Sequence, residues 1–174
     1  MTDISENQAL RYRRLAFYAE DIDRFNEVLL AFVKKADARC VLLIDKDGHL
    51  VARQGFFDSI DSASLSALVA GSFASTREVA KQLGEPEFQV LFHQGATNSI
   101  FITLVGDRTL QVAVFDGSTK PGLIQVLGRE LAAKVATILD AIAKRPVHED
   151  EGPRLDQGFS DQMKNQIDDL FGGL

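Results

Sequence analysis

Tryptophan is absent from the chain, and cysteine occurs once and proline four times in 174 residues. A lone Cys40 excludes an internal disulfide framework, so side-chain packing has to hold the fold. A chain of this length buries roughly two thirds of the surface its unfolded form exposes, which is enough without a metal or covalent staple. Positive charge is also in short supply: 19 Lys and Arg stand against 25 Asp and Glu, a formal charge of -6. That is the wrong sign for a phosphate-backbone binder, and no nucleic acid is expected as a partner. The longest apolar runs reach about six residues, far below the roughly 20 that span a bilayer. No membrane insertion is expected, and with no apolar run of signal-peptide length in Met1 to Leu10 the expected location is cytoplasmic.

Hydrophobic residues nevertheless make up 45% of the chain and include 12 Phe, the composition of one globular domain with an appendage. From Asp21, the spacing of Ile22, Phe25, Leu29, Phe32 and Ala36 predicts an amphipathic helix. Its start is open as far back as Leu10, behind a polar N-terminal extension (residues 1–20) that carries Arg11, Arg13 and Arg14. The period then switches to strand over Arg39 to Asp45 and His49 to Gln54. Lys46-Asp47-Gly48 between them is a strong hairpin signal.

A second helix, capped by Asp61 or Ser62, runs to about Leu83, where Gly84 and Pro86 end it. Three strands follow: Glu87 to His93, Asn98 to Val105 and Thr109 to Phe115. Connections this short require an antiparallel meander. Ser118 or Thr119, Pro121 and the stripe Leu123, Leu127, Leu131, Val135, Ile138 and Ile142 predict a last helix to about Lys144. The order is αββαβββα, an α/β fold of the α+β type with a five-stranded antiparallel sheet and helices on its faces.

Residues 145–158 read as an acidic Pro/Gly linker. Residues 159–174 hold a short amphipathic helix whose apolar edge is Met163, Ile167, Leu170 and Phe171. So short a helix needs an apolar partner: a groove on another protein, or its own domain.

The residues offer little chemistry of their own. His49, His93 and His148 lie at no metal-ligand spacing with Cys40 or a carboxylate pair, and Cys40 opens a strand that reads as buried. No phosphate-binding Gly loop is present, and Asp116 to Gly122 reads as an ordinary capped connection. Catalytic residues, metal ligands and a cofactor are all expected to be none.

The second helix carries more information. Leu65, Leu68, Val69, Ser72, Thr76, Val79 and Leu83 form the stripe expected to meet the sheet. A separate line of small residues, Ala63, Ala67, Ala70, Gly71 and Ala74, suits close approach of another helix. With an exposed edge formed by Phe88, Val90 and Phe92, that line predicts a symmetric homodimer.

The element order, Ile44-Asp45-Lys46-Asp47-Gly48, Ser64 to Gly71, and Phe115-Asp116 ahead of the last helix together resemble the Roadblock family over roughly Asp21 to Lys144. Phe92-His93-Gln94-Gly95-Ala96, Asn98-Ser99-Ile100, Val105-Gly106-Asp107-Arg108 and the tail Ile167-Asp168-Asp169-Leu170-Phe171 are similar to its bacterial MglB-type members. The resemblance implies a profilin- and longin-like fold. It also implies a homodimer that binds a Ras-like small GTPase of the MglA type, accelerates its GTP hydrolysis and serves cell polarity and motility.

On the same grounds the partner surface comprises Ala70, Ala74, Arg77, Glu78 and Lys81, with a docking contact from Met163, Ile167, Leu170 and Phe171. Such activators are described as working without an inserted arginine finger; Arg77 and Arg108 are the positions at which one would be sought. Two other classes remain open, a Roadblock scaffold that binds a GTPase without stimulating it and a small-molecule sensor.

Overall fold

A computed structural model describes residues 17–58 and 60–145. The expected N-terminal extension up to residue 16, the linker beyond Arg145 and the tail helix lie outside these residues. Three helices and five strands follow one another as α1 (Ala19–Ala36), β1 (Cys40–Asp45), β2 (Leu50–Gly55), α2 (Ser62–Gln82), β3 (Val90–Gln94), β4 (Asn98–Val105), β5 (Thr109–Asp116) and α3 (Pro121–Ala143). The strands form one antiparallel sheet in the order β2-β1-β5-β4-β3. β2 and β3 are its two edges.

Strand alternation sends side chains to two cores. Val41 and Leu43 of β1, Phe101 and Val105 of β4 and Ala113 and Phe115 of β5 meet α1 (Phe25, Leu29, Phe32) and α3 (Ile124, Leu127, Leu131, Val135). Cys40, Leu42, Ile44, Ile102, Leu104, Leu110, Val112 and Val114 point to the other side. There α2 covers them with Val69, Ala70 and Phe73. Two helices on one face and one on the other is a natural solution for strands that are apolar on both sides.

Several ends are fixed by specific hydrogen bonds. Asp61 caps α2, accepting from the amides of Ala63 and Ser64; the hydroxyl and amide of Ser64 and the amide of Ala63 hold its carboxyl below the ordinary value. α2 ends in a Schellman turn: Gly84, at φ +80°, donates its N–H to the carbonyl of Lys81, and Glu85 donates to Ala80. The last helix departs from expectation. Neither Ser118 nor Thr119 caps α3, whose N-cap is Lys120. The Thr119 hydroxyl turns back to the carbonyls of Ala36 (3.2 Å) and Asp37 (2.8 Å). It thus serves the end of α1, where carbonyls lack helical partners. Along α3, the inward residue of the first turn is Ile124, with Leu123 left 46% exposed.

Candidate functional site

α2 presents a different face to the sheet than its leucines suggest. Its buried line is Ser62, Ser66, Val69, Ala70, Phe73 and Ala80. Leu68, Val79 and Leu83, expected against the sheet, are 72%, 55% and 69% exposed. The buried serines explain the rotation. The Ser66 hydroxyl donates to the carbonyl of Ser62 (2.6 Å), and the Ser62 hydroxyl accepts from the Arg53 guanidinium (2.6 Å). Satisfied in this way, two polar side chains can sit inward without the penalty of an orphan group, while Phe73 fixes the orientation.

The rotation divides the exposed surface of α2 into two flanks, since successive residues turn by about 100°. One flank carries Leu65, Leu68, Ser72, Val79 and Leu83. At its base Leu65 packs against the α2-side core, as do Phe57, Ile60, Leu91 of β3 and Ile100 of β4, all partly buried. The other flank carries Ala63, Ala67, Gly71 and Ala74, all exposed, together with Glu78 and Lys81, which pair at 2.7 Å. This second flank faces the β1–β2 turn: a Cβ on Gly48 would lie 3.0 Å from the Ala67 Cα, and Gly48 takes φ +92°. Both the close approach and the left-handed conformation call for glycine there.

Of the residues singled out on the helix, Ala70 belongs to neither flank. It is 5% exposed against the sheet, so its place on the small-residue line and on the partner surface is corrected. Arg77 is exposed. Arg108 is engaged with Asp47 at 2.7 Å.

β3 is an edge strand with Val90 37% and Phe92 36% exposed, the Phe92 ring stacking on Phe115 with centroids 6.1 Å apart. The strand begins at Val90, three residues later than expected. Phe88 lies half-buried ahead of it, and Glu87 is drawn aside to Lys46, whose Nζ reaches its two oxygens at 2.8 and 3.0 Å. Met163, Ile167, Leu170 and Phe171 lie outside the described residues.

The β1–β2 turn holds a cluster that was not expected. Ligand atoms of Asp45, Asp47 and His49 lie within 4.8 Å of one another, although no His was expected beside a carboxylate pair. The signal is the i, i+2, i+4 spacing across a tight turn. Asp45 accepts from the amides of Asp47 (2.9 Å) and His49 (2.8 Å) and meets the His49 ring at 2.9 Å. Burial pushes the Asp45 carboxyl up, but these bonds from His49 and Asp47 outweigh it and hold the group below its ordinary value. With Asp47 paired to Arg108, the cluster is a charge network that shapes the turn. Cys40 is fully buried, and desolvation pushes its thiol up to about 11; a thiol so held is a poor nucleophile.

A sheet with a helix exposed on one face and an open strand at its edge has relatives. The Roadblock/LC7 domain model matches residues 24–115. The chain belongs to the Roadblock/LC7 family. Among solved structures, this family member is similar to MglB of Myxococcus xanthus, with 35% identity, 75% of this chain and 98% of that chain covered, and a TM-score of 0.70. It is also similar to the gliding protein MglB of Thermus thermophilus (32% identity, 73% and 96% covered, TM-score 0.69). An MglB in a tetrameric arrangement gives 31% identity, 74% and 96% covered, and 0.71. No curated protein sequence matches the chain. No helix among the described residues is long and apolar enough to cross a membrane.

Proposed function

We propose that this Roadblock/LC7 chain is a non-catalytic regulator of a Ras-like small GTPase of the MglA type and that it acts as a homodimer to accelerate GTP hydrolysis. The observation that carries the reading is the exposure of α2 beside an open sheet edge, in a chain 31–35% identical to MglB structures over most of their length. An exposed helix bearing Leu68, Val79 and Leu83 is the kind of apolar surface that marks a binding face. Edge strands are likewise seldom left unpaired without a reason.

The two flanks divide the work. The dimer contact expected on the small-residue line is reassigned to the leucine flank, because Leu68, Val79 and Leu83 are exposed rather than turned to the sheet and Leu65 at its base shares a cluster with Leu91 and Ile100. This flank, with the edge residues Phe88, Val90 and Phe92, meets a second copy, and β3 pairs across the two-fold axis. The small-residue flank, Ala63, Ala67, Gly71 and Ala74, with Arg77, Glu78 and Lys81, receives the GTPase. Its small side chains let a partner backbone come close, and its charges set register. The tail residues Met163, Ile167, Leu170 and Phe171 add a tethered docking contact.

The chemistry belongs to the GTPase, whose own residues and magnesium stabilise the phosphoryl-transfer transition state. The activator supplies differential affinity for the productive arrangement of the switch loops, which is sufficient to bias their population. Polarity and motility control are the processes this assigns.

Calorimetric titration of the full chain into an MglA-type GTPase tests the binding step. Saturable binding to the GTPase loaded with a non-hydrolysable GTP analogue, at least tenfold tighter than to the GDP form, is expected. Equal affinity for both forms would refute a state-reading regulator.

A further inference from the structure

We propose that Lys46 is a positioning residue that fixes α2 and β3 relative to each other and so sets the geometry of both faces of the regulator; this rests on the reading just given. Lys46 is the first residue after β1, and its backbone amide donates to the carbonyl of Arg108 (2.8 Å). The residue is thereby tied to the β4–β5 turn. Its side chain then leaves the turn and reaches Glu87, in the connection between α2 and β3, at 2.8 and 3.0 Å. On the way Nζ lies 5.9 Å over the ring of Phe73, the residue that seats α2 on the sheet. One side chain therefore touches the helix and the entry to the edge strand from a fixed point in the sheet.

The Schellman bonds of Gly84 and Glu85 fix the start of the intervening segment, and the Lys46 pair fixes its far end at Glu87. Gln82 to Pro86 is exposed, and the chain leaves α2 through the left-handed Gly84. β3 adds its first ladder bond when the Leu104 amide donates to the carbonyl of Gln89 (2.9 Å), two residues after Glu87. The position of Glu87 thus decides how β3 enters the sheet. The two side chains are only 17% and 21% exposed, so each gives up hydration to make the pair. A pair so little exposed adds little net stability over an apolar alternative; in this proposal its contribution is the selection of one arrangement of α2 and β3. A lysine whose only task was to solubilise a hairpin tip would point outward, as Asp47 and His49 do.

Hydrogen exchange and sedimentation on the full chain test this with Lys46→Met, which keeps an unbranched side chain and removes the charge that meets both Glu87 and the Phe73 ring, with Glu87→Gln, which approaches the same pair from the other side, and with the exchanged pair Lys46→Glu/Glu87→Lys. Each single variant should raise amide exchange over residues 83–94 at least fivefold while β1 and β5 exchange as before, and should weaken self-association about tenfold. The exchanged pair should recover part of both. Unchanged exchange over 83–94, a uniform rise across all strands, or local loosening with undiminished self-association would each overturn the proposal. An unaltered chain that stays monomeric and binds no GTPase sinks the preceding reading and this one with it, and that failure is recognised before any variant is made.

Discussion

Two glycines in two helices should respond to the same substitution with opposite signs. Alanine favours helix over glycine by about 1 kcal/mol. At Gly71, in the exposed middle of α2, an added Cβ meets nothing within 4 Å. Gly71→Ala should therefore stabilise the chain by about 0.5–1 kcal/mol. At Gly128, in α3, the Cβ would lie 2.8 Å from Cε1 and 3.3 Å from Cδ1 of Phe101. That ring is 1% exposed and locked between β4 and the helix. The same Cβ would stand 3.4 Å from the Gln111 amide, which donates to the Gly128 carbonyl at 3.2 Å. Overpacking of this kind costs about 1–3 kcal/mol, and loosening a buried hydrogen bond about 1 kcal/mol more. Offset by the gain in propensity, Gly128→Ala should destabilise the chain by about 1–3 kcal/mol. Urea unfolding at one fixed, low protein concentration, which keeps mass-action effects constant, gives both values. Gly128→Ala at or above wild-type stability would refute the close approach of α3 to the sheet. A loss of stability in Gly71→Ala would refute the open surroundings assigned to Gly71.

Three further outcomes follow from the same contacts. Thr119→Val removes the hydroxyl that serves the carbonyls of Ala36 and Asp37 and should cost about 1–2 kcal/mol in denaturant unfolding; an unchanged midpoint would mean that water replaces it without loss. Cys40, with its thiol raised to about 11, should resist a thiol reagent at pH 8 until the chain unfolds. Because the folded state holds that proton more tightly than the unfolded state, stability should fall as pH rises from about 9 towards 11, and Cys40→Ala should remove that part of the decline. Leu68→Glu should give monomers in sedimentation while Gly71→Arg leaves the dimer intact and abolishes GTPase binding; the reverse assignment of losses would exchange the two flanks.

The order of elements was legible because it rests on local signals: the Asp47-Gly48 turn, the Asp61 cap, Gly84 at a helix end and the alternation of apolar residues in the strands. What the pattern misjudged depended on partners distant in sequence. Leucine is apolar wherever it stands, so Leu68, Val79 and Leu83 read as the inner face of α2. Buried Ser62 is decided by Arg53 on β2, which the fold brings to it, while Ser66 is satisfied within the helix by the carbonyl of Ser62 four residues earlier. Thr119 reads as a cap for the helix after it and instead closes the helix more than 80 residues before it. Glu87 reads as the first residue of a strand until Lys46, 41 positions away, claims it. The small-residue line was visible as composition, yet the burial of Ala70 and the seating of Gly48 on Ala67 required the helix to be placed on its sheet.

The most direct measurement is single-turnover GTP hydrolysis by an MglA-type GTPase, alone and with the full chain added. A regulator that orders the switch loops should raise the rate by orders of magnitude, and Gly71→Arg should abolish the increase. An unchanged rate, with binding verified in the same sample, would contradict activation and leave a scaffold that holds the GTPase without hastening hydrolysis.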